Sequence, residues 1–94
     1  MIVLRRVVGD SMTPVLRPDQ LIIAWRTRRV RPGDVVIALH DGKEKVKRLH
    51  SVSDGQVFLL GDNPNASTDS RHFGWLPQRA VFAKVLWPKT RARA

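Results

Sequence analysis

The sequence predicts a single small all-β domain, and three observations carry that reading. Six short segments are rich in Val, Ile, Leu and Phe, turn-forming residues separate them, and no stretch of a dozen residues has helical spacing. At 94 residues the chain has room for one domain, near the size below which domains need staples. Its 43% hydrophobic content is enough for a packed core.

The elements follow in order. A first strand is expected over residues 2–8 and stops at Gly9-Asp10. A second, over 20–26, is entered from Arg17-Pro18-Asp19. A third, over 34–40, follows Arg31-Pro32-Gly33. Asp41-Gly42 then joins it to a fourth, over 44–49, as a tight hairpin, because Asp-Gly accepts the positive φ angles of a type I′ turn. Ser53-Asp54-Gly55 leads to a fifth strand over 56–60, and the sixth covers 81–87. A single helical turn is expected only after Ser11 or around residues 77–79. Residues 61–77 form a long turn-rich stretch, a length that is uncommon in a compact domain unless it serves a function. The folded domain is expected over residues 1–88, with 89–94 as a flexible basic tail.

Composition excludes several classes. There is no cysteine, so disulfides, thiol nucleophiles and cysteine-ligated zinc are ruled out. The longest apolar run, residues 21–25, is far short of the roughly 20 residues a membrane span needs. No secretion signal precedes Arg5-Arg6. A cytoplasmic, soluble protein without membrane contact is expected. Seventeen Lys and Arg against eight Asp and Glu give a formal charge of +9, which favours acidic partners or nucleic acid. His40, His50 and His72 lack ligand-like spacing, so neither metal nor cofactor is expected. Trp25, Trp75 and Trp87 are assigned to the core, with Trp75 the one placed to line a groove.

Chemistry enters with Ser11 and Lys47. A serine becomes a nucleophile when a base takes its proton, and a lysine kept neutral by burial can be that base. Lys47 sits in the fourth strand, on the face of Leu49 by alternation. Lys45 shares that face and competes for the role. Lys43 falls in the hairpin, Lys84 far from any serine loop and Lys89 in the tail. Ser11 follows Gly9-Asp10 at a strand end and precedes Pro14, which turns the chain away. Taken alone, Gly-x-Ser reads as an ordinary turn.

The ordered set is more specific. Gly9-Asp10-Ser11-Met12-Thr13-Pro14, Arg31-Pro32-Gly33-Asp34-Val35-Val36, Val46-Lys47-Arg48 and Gly61-Asp62-Asn63 with Ser67-Thr68-Asp69-Ser70-Arg71-His72-Phe73-Gly74 occur in sequence. Together they resemble the type I signal peptidase family over residues 7–85. The resemblance implies a coiled β-sheet catalytic core, as in signal peptidases and LexA-type domains. It implies Ser11 as nucleophile, Lys47 as general base, and Ser67 as the hydroxyl that positions the amine. Asp69 and Arg71 match a bracing ion pair with Arg48 nearby, and Met12 and Pro14 match site-shaping positions. Gly9 stands where some members place a serine hydroxyl in the oxyanion hole.

The chain departs from the typical member in having no N-terminal span and no second β domain after the lysine strand. It is most similar to short, anchorless proteases that mature nickel-containing superoxide dismutase. The implied partner is that precursor, trimmed of an N-terminal leader. Two rival readings stand beside it. A basic nucleic-acid-binding domain draws on Arg26, Arg28, Arg29 and Arg31, yet its aromatics are not interleaved with the basic residues as a stacking platform needs. A self-cleaving LexA-type repressor needs a DNA-binding domain and a cleavable segment, which ten residues before Ser11 cannot hold.

Overall fold

The computed structural model describes residues 1–90; the last four positions of the expected tail lie outside the described residues. Seven strands form one antiparallel sheet in the order β1-β2-β7-β3-β4-β5-β6. They are β1 (Ile2–Arg6), β2 (Leu21–Arg26), β3 (Val35–His40), β4 (Lys43–Ser53), β5 (Gln56–Leu60), β6 (Leu76–Pro77) and β7 (Val81–Trp87). No helix among the described residues is long and apolar enough to cross a membrane.

Local chemistry explains most of the boundaries. Asp41 and Gly42 take φ values of 52° and 73°, and Asp54 and Gly55 take 50° and 73°. Positive φ at both central residues twists each two-residue turn to match its strands, which pairs His40 with Lys43 and Ser53 with Gln56. β1 ends at Arg6, two residues early. β4 runs four residues beyond the expected Leu49 because an irregularity between Leu49 and Ser51 absorbs His50 and lets pairing with β5 continue. The seventh strand is the two-residue β6, too short to leave a pattern in the sequence. A 3₁₀ turn at Gln78–Ala80 and a turn closed by Leu16 N–H on the Met12 carbonyl (2.9 Å) match the two single turns expected. The stretch expected to be turns alone also holds a 3₁₀ turn at Pro64–Ala66 and a one-turn helix at Ser70–Phe73, both too short for a periodic pattern.

β3 is buried on both faces and divides the interior. Val35 and Ile37 join Val3, Val7, Met12, Leu16, Ile22 and Val85 in one core. Val36 and Ala38 join Leu49, Val57, Leu59, Leu76 and Val81 in a second. The sheet curls around the first core until β1 and β4, four places apart in the strand order, are bridged by an Arg5–Glu44 ion pair. Two of the tryptophans assigned to the core are on the surface. Trp25 is 46% and Trp87 53% exposed, because both fall on the outer face of β2 and β7 with Ile2 and Leu4.

Candidate active site

Ser11 opens a tight loop that the first core holds from beneath. Met12 and Leu16 are fully buried, and the Thr13 hydroxyl donates to the Asp10 carbonyl at 2.9 Å. Gly9, at φ 79°, makes the bend that a side chain would strain. Ser11 is left half-buried at the wall of a cleft of about 440 Å³, which Gly9, Asp10, Lys45, Val46, Lys47, Ala66 and Thr68 also line. Among the described residues the Ser11 amide has no hydrogen-bond acceptor, so it is free to donate to a bound group.

Lys47 is 6% exposed. Its Nζ donates to Ser67 Oγ at 3.3 Å, and Ser67 Oγ donates to Asp69 Oδ2 at 2.7 Å. Asp69 is fully buried and accepts from the Gly61 N–H at 2.8 Å, from Arg71 Nε at 3.0 Å and from Arg71 Nη2 at 2.6 Å. Asp69 also caps a four-residue helix, α1 (Ser70–Phe73), by accepting the Arg71 N–H at 3.1 Å. One carboxylate therefore orients the serine behind the lysine and starts the helix that carries its own ion-pair partner.

Burial pushes the Lys47 amine below the usual lysine range; the Asp69 charge opposes this, while the Lys45 and Arg71 charges add to it. For Asp69, burial alone would raise the carboxyl. The Arg71 fork, the Gly61 N–H and the Ser67 hydroxyl outweigh it and hold the group well below the ordinary carboxylate range. The chain of donors matters chemically. Ser67 spends its proton on Asp69 and so can only accept from Lys47. A neutral amine bound this way keeps its lone pair for the cleft.

Lys45, the competing lysine, also reaches the cleft but is engaged elsewhere. Its Nζ lies 3.1 Å from His40 Nδ1 and 4.8 Å from the Phe73 ring centre. Among the described lysines only Lys47 meets the serine–aspartate chain.

Other expected residues fall apart from this group. Arg48 does not stand beside the Asp69–Arg71 pair. Alternation along β4 turns it to the opposite side from Lys47, where it forks onto Asp62 with both contacts at 2.8 Å. It also donates to the Gly33 and Thr90 carbonyls, bracing loops rather than the lysine. Met12 shapes the site from within the core. Pro14 is exposed and borders a separate depression with Arg17 and Pro18. Trp75 packs edge-on against Phe58 at 5.1 Å and lies off the cleft. No group of His, Asp or Glu among the described residues is arranged to hold a metal.

Three contributors escaped the sequence reading. A Cβ on Gly61 would overlap Ser67 Oγ and stand 2.5 Å from Ser67 Cβ and 2.7 Å from the Ser11 carbonyl. Asn63 ties the loop after β5 to the Ser11 loop. Its N–H donates to the Ser11 carbonyl at 2.8 Å and its Nδ2 to the Asp10 carbonyl at 3.1 Å and Thr13 Oγ1 at 2.9 Å. Ser70 Oγ accepts the Leu59 N–H at 2.8 Å and pins α1 to β5. All three lie within the motif segments, but only the folded geometry gives them a task.

A model of the Peptidase S24-like family matches residues 2–74. The chain is 42% identical over 62 residues to a LexA repressor of Verrucomicrobium spinosum, covering 64% of this chain and 29% of that protein. It is 50% identical over 36 residues to a probable signal peptidase I-1 of Synechocystis, covering 38% and 18%. It is 50% identical over 40 residues to a mitochondrial ATP-independent inner membrane protease subunit 1a of Arabidopsis thaliana, covering 39% and 24%. The chain spans less than a third of the length of each of these relatives.

Proposed function

The chain belongs to the Peptidase S24-like family, and from that premise we propose that it is a serine endopeptidase with Ser11 as nucleophile and Lys47 as general base. The observation that carries the proposal is the buried relay Lys47–Ser67–Asp69 opening onto the cleft that Ser11 lines. In this reading the neutral Lys47 amine takes the Ser11 proton as Oγ attacks the scissile carbonyl. The Ser11 N–H, free of other acceptors, stabilises the oxyanion, since Gly9 offers no side-chain donor. The resulting ammonium returns its proton to the leaving amine, and a water deprotonated by Lys47 then releases the acyl group. Ser67 keeps the amine aimed throughout, and Asp69 keeps Ser67 acting as an acceptor.

The finer reading is leader removal in the cytoplasm from a soluble precursor, the nickel-type superoxide dismutase being the substrate that the motif resemblance suggests. Co-expression of that precursor with wild-type or Ser11→Ala protein tests both levels, read by mass spectrometry and nickel content of the product. Ser11-dependent leader loss and nickel loading is the expected result. Processing that does not depend on Ser11 removes the substrate assignment. Cleavage of peptides by Ser11→Ala at the wild-type rate removes the peptidase assignment.

A second reading is a basic nucleic-acid-binding domain without catalysis. Arg26, Arg28, Arg29 and Arg31 are all exposed, and one relative is a repressor. Steeply salt-dependent binding to duplex DNA by a protein that cleaves no peptide would favour it.

A further inference from the structure

Two unpaired strand edges face each other across the cleft. Among the described residues β1 pairs only with β2. β4 is joined to β5 only from Arg48 onward, so residues 43–47 pair on the β3 side alone. The backbone of β1 alternates between the two directions. The Met1 and Val7 carbonyls and the Val7 N–H bond towards the β2 side, to Arg26, Asp19 and Gln20. Odd residues therefore face β2, and Leu4 presents its carbonyl to the free edge.

That carbonyl is occupied by the chain itself. Arg5 Nη1 donates to Leu4 O at 2.9 Å, while Arg5 Nε and Nη2 fork onto Glu44 at 2.6 and 3.1 Å. Glu44 thus fixes the guanidinium across the mouth of the cleft in a bidentate pair. One donor is parked on an acceptor that an added peptide strand would take. Both side chains are about 40% exposed, at 43% and 39%, and so are open to exchange. Glu44 precedes Lys47 by three residues on β4, roughly 10 Å along the strand. A peptide extended beside β4, with its scissile carbonyl between Ser11 and Lys47, sets a side chain about three residues from that bond opposite Arg5.

Charge decides what Arg5 meets there. On the cleft the Arg5–Glu44 pair cancels within itself, leaving Arg6 and Lys45 against Asp10, so an incoming side chain meets a net cationic wall in which Arg5 offers the aimed donor. We infer that Arg5 is a specificity-determining residue: on binding, it exchanges the Leu4 carbonyl for an acceptor on the peptide, and it selects an acidic side chain about three residues from the bond that is cut. Glu44 is the positioning residue that holds the fork in place. The inference rests on the peptidase reading for its reference point, the scissile bond.

The test uses a peptide library with Glu, Gln or Ala substituted at each position, read as cleavage by the full chain and as binding to its Ser11→Ala form. Wild type is expected to favour Glu over Gln about tenfold at one position near the third from the cut, through KM and not kcat. Arg5→Ala should erase that preference, Arg5→Lys should retain part of it, and Glu44→Gln, which keeps an acceptor for the fork but frees the Arg5 charge, should sharpen it. Circular dichroism confirms that each variant is folded. Cleavage with no acidic preference, or with one unchanged in Arg5→Ala, overturns the inference and leaves the peptidase reading standing. Arg5-dependent binding of acidic peptides by Ser11→Ala, with no cleavage by wild type, keeps the Arg5 site and removes the peptidase reading. Neither binding nor cleavage removes both.

Discussion

Gly61→Ala adds one methyl group at the point where the Ser11 loop, Ser67 and β5 converge. The new Cβ would overlap Ser67 Oγ and sit 2.5 Å from Ser67 Cβ and 2.7 Å from the Ser11 carbonyl. Ser67 Cβ must recede roughly 1 Å to reach ordinary carbon contact. It has little room to do so, because its hydroxyl is held by both Lys47 and Asp69. Overpacking of this kind costs about 1–3 kcal/mol, and each kcal/mol is about 4–8 °C of Tm in a domain this small. Displacement of a catalytic group by about 1 Å can cost about 10²-fold in rate. The expected outcome is therefore a folded but destabilised protein whose kcat/KM falls about a hundredfold. Thermal melts and initial rates on one peptide substrate measure both. A Gly61→Ala protein with wild-type Tm and rate would refute the packing of Ser67 against the Ser11 loop, and with it the relay.

The remaining predictions address charge. Lys47→Arg should abolish cleavage, since a guanidinium does not surrender its proton, while Lys45→Arg should be mild; steady-state rates for the two variants decide between the lysines. Ser67→Ala removes an acceptor that favours the ammonium, so the rising limb of the pH–rate profile should move to lower pH while its plateau falls about 10–100-fold. Arg71→Ala removes a cation that disfavours the ammonium, so the same limb should move to higher pH. The folded Asp69 carboxyl lies below its ordinary range, so its stabilising contribution is present above about pH 4 and is lost as pH falls. Asp69→Asn should therefore lower Tm at pH 7, with the gap to wild type closing towards pH 2 in melts across that range.

The strands were legible because each depends on residues next to one another. Val, Ile and Leu at alternate positions, and Asp41-Gly42 at φ values only a turn accepts, are local signals. What failed was set at a distance. β6 exists only because Gln56 and Val57 are there to pair with it. α1 is four residues long, too short for periodicity, and its only sequence mark was Asp69 as an N-cap. Trp25 and Trp87 are apolar yet exposed, since hydrophobicity does not say which face of the sheet is covered. The same limit divides the site. Strand parity puts Lys45 and Lys47 on one face and cannot separate them; the folded contacts with His40 and with Ser67 do. Placing Arg48 away from Asp69 follows from that parity, but sequence proximity to Lys47 concealed it. Gly61 and Asn63 act through contacts about 50 residues back in the chain, which no local pattern encodes.

The relay has to meet two demands that oppose each other. Ser67 must be oriented by a charged acceptor, and the only buried carboxylate among the described residues is Asp69. Yet a bare carboxylate beside Lys47 would hold the amine as an ammonium and end its use as a base. Arg71 reconciles the two. Its fork occupies both oxygens of Asp69 at 3.0 and 2.6 Å, so most of the negative charge faces the arginine. Its own positive charge then adds to that of Lys45 in lowering the Lys47 pKa. Asp69 can orient Ser67 without committing Lys47 to a proton, and Arg71, 40% exposed at the surface, becomes part of the base's tuning and not merely a brace. The opposite pH shifts of Ser67→Ala and Arg71→Ala are the signature of this division. A purely structural ion pair would lower the rate in both variants and leave the two profiles where they were.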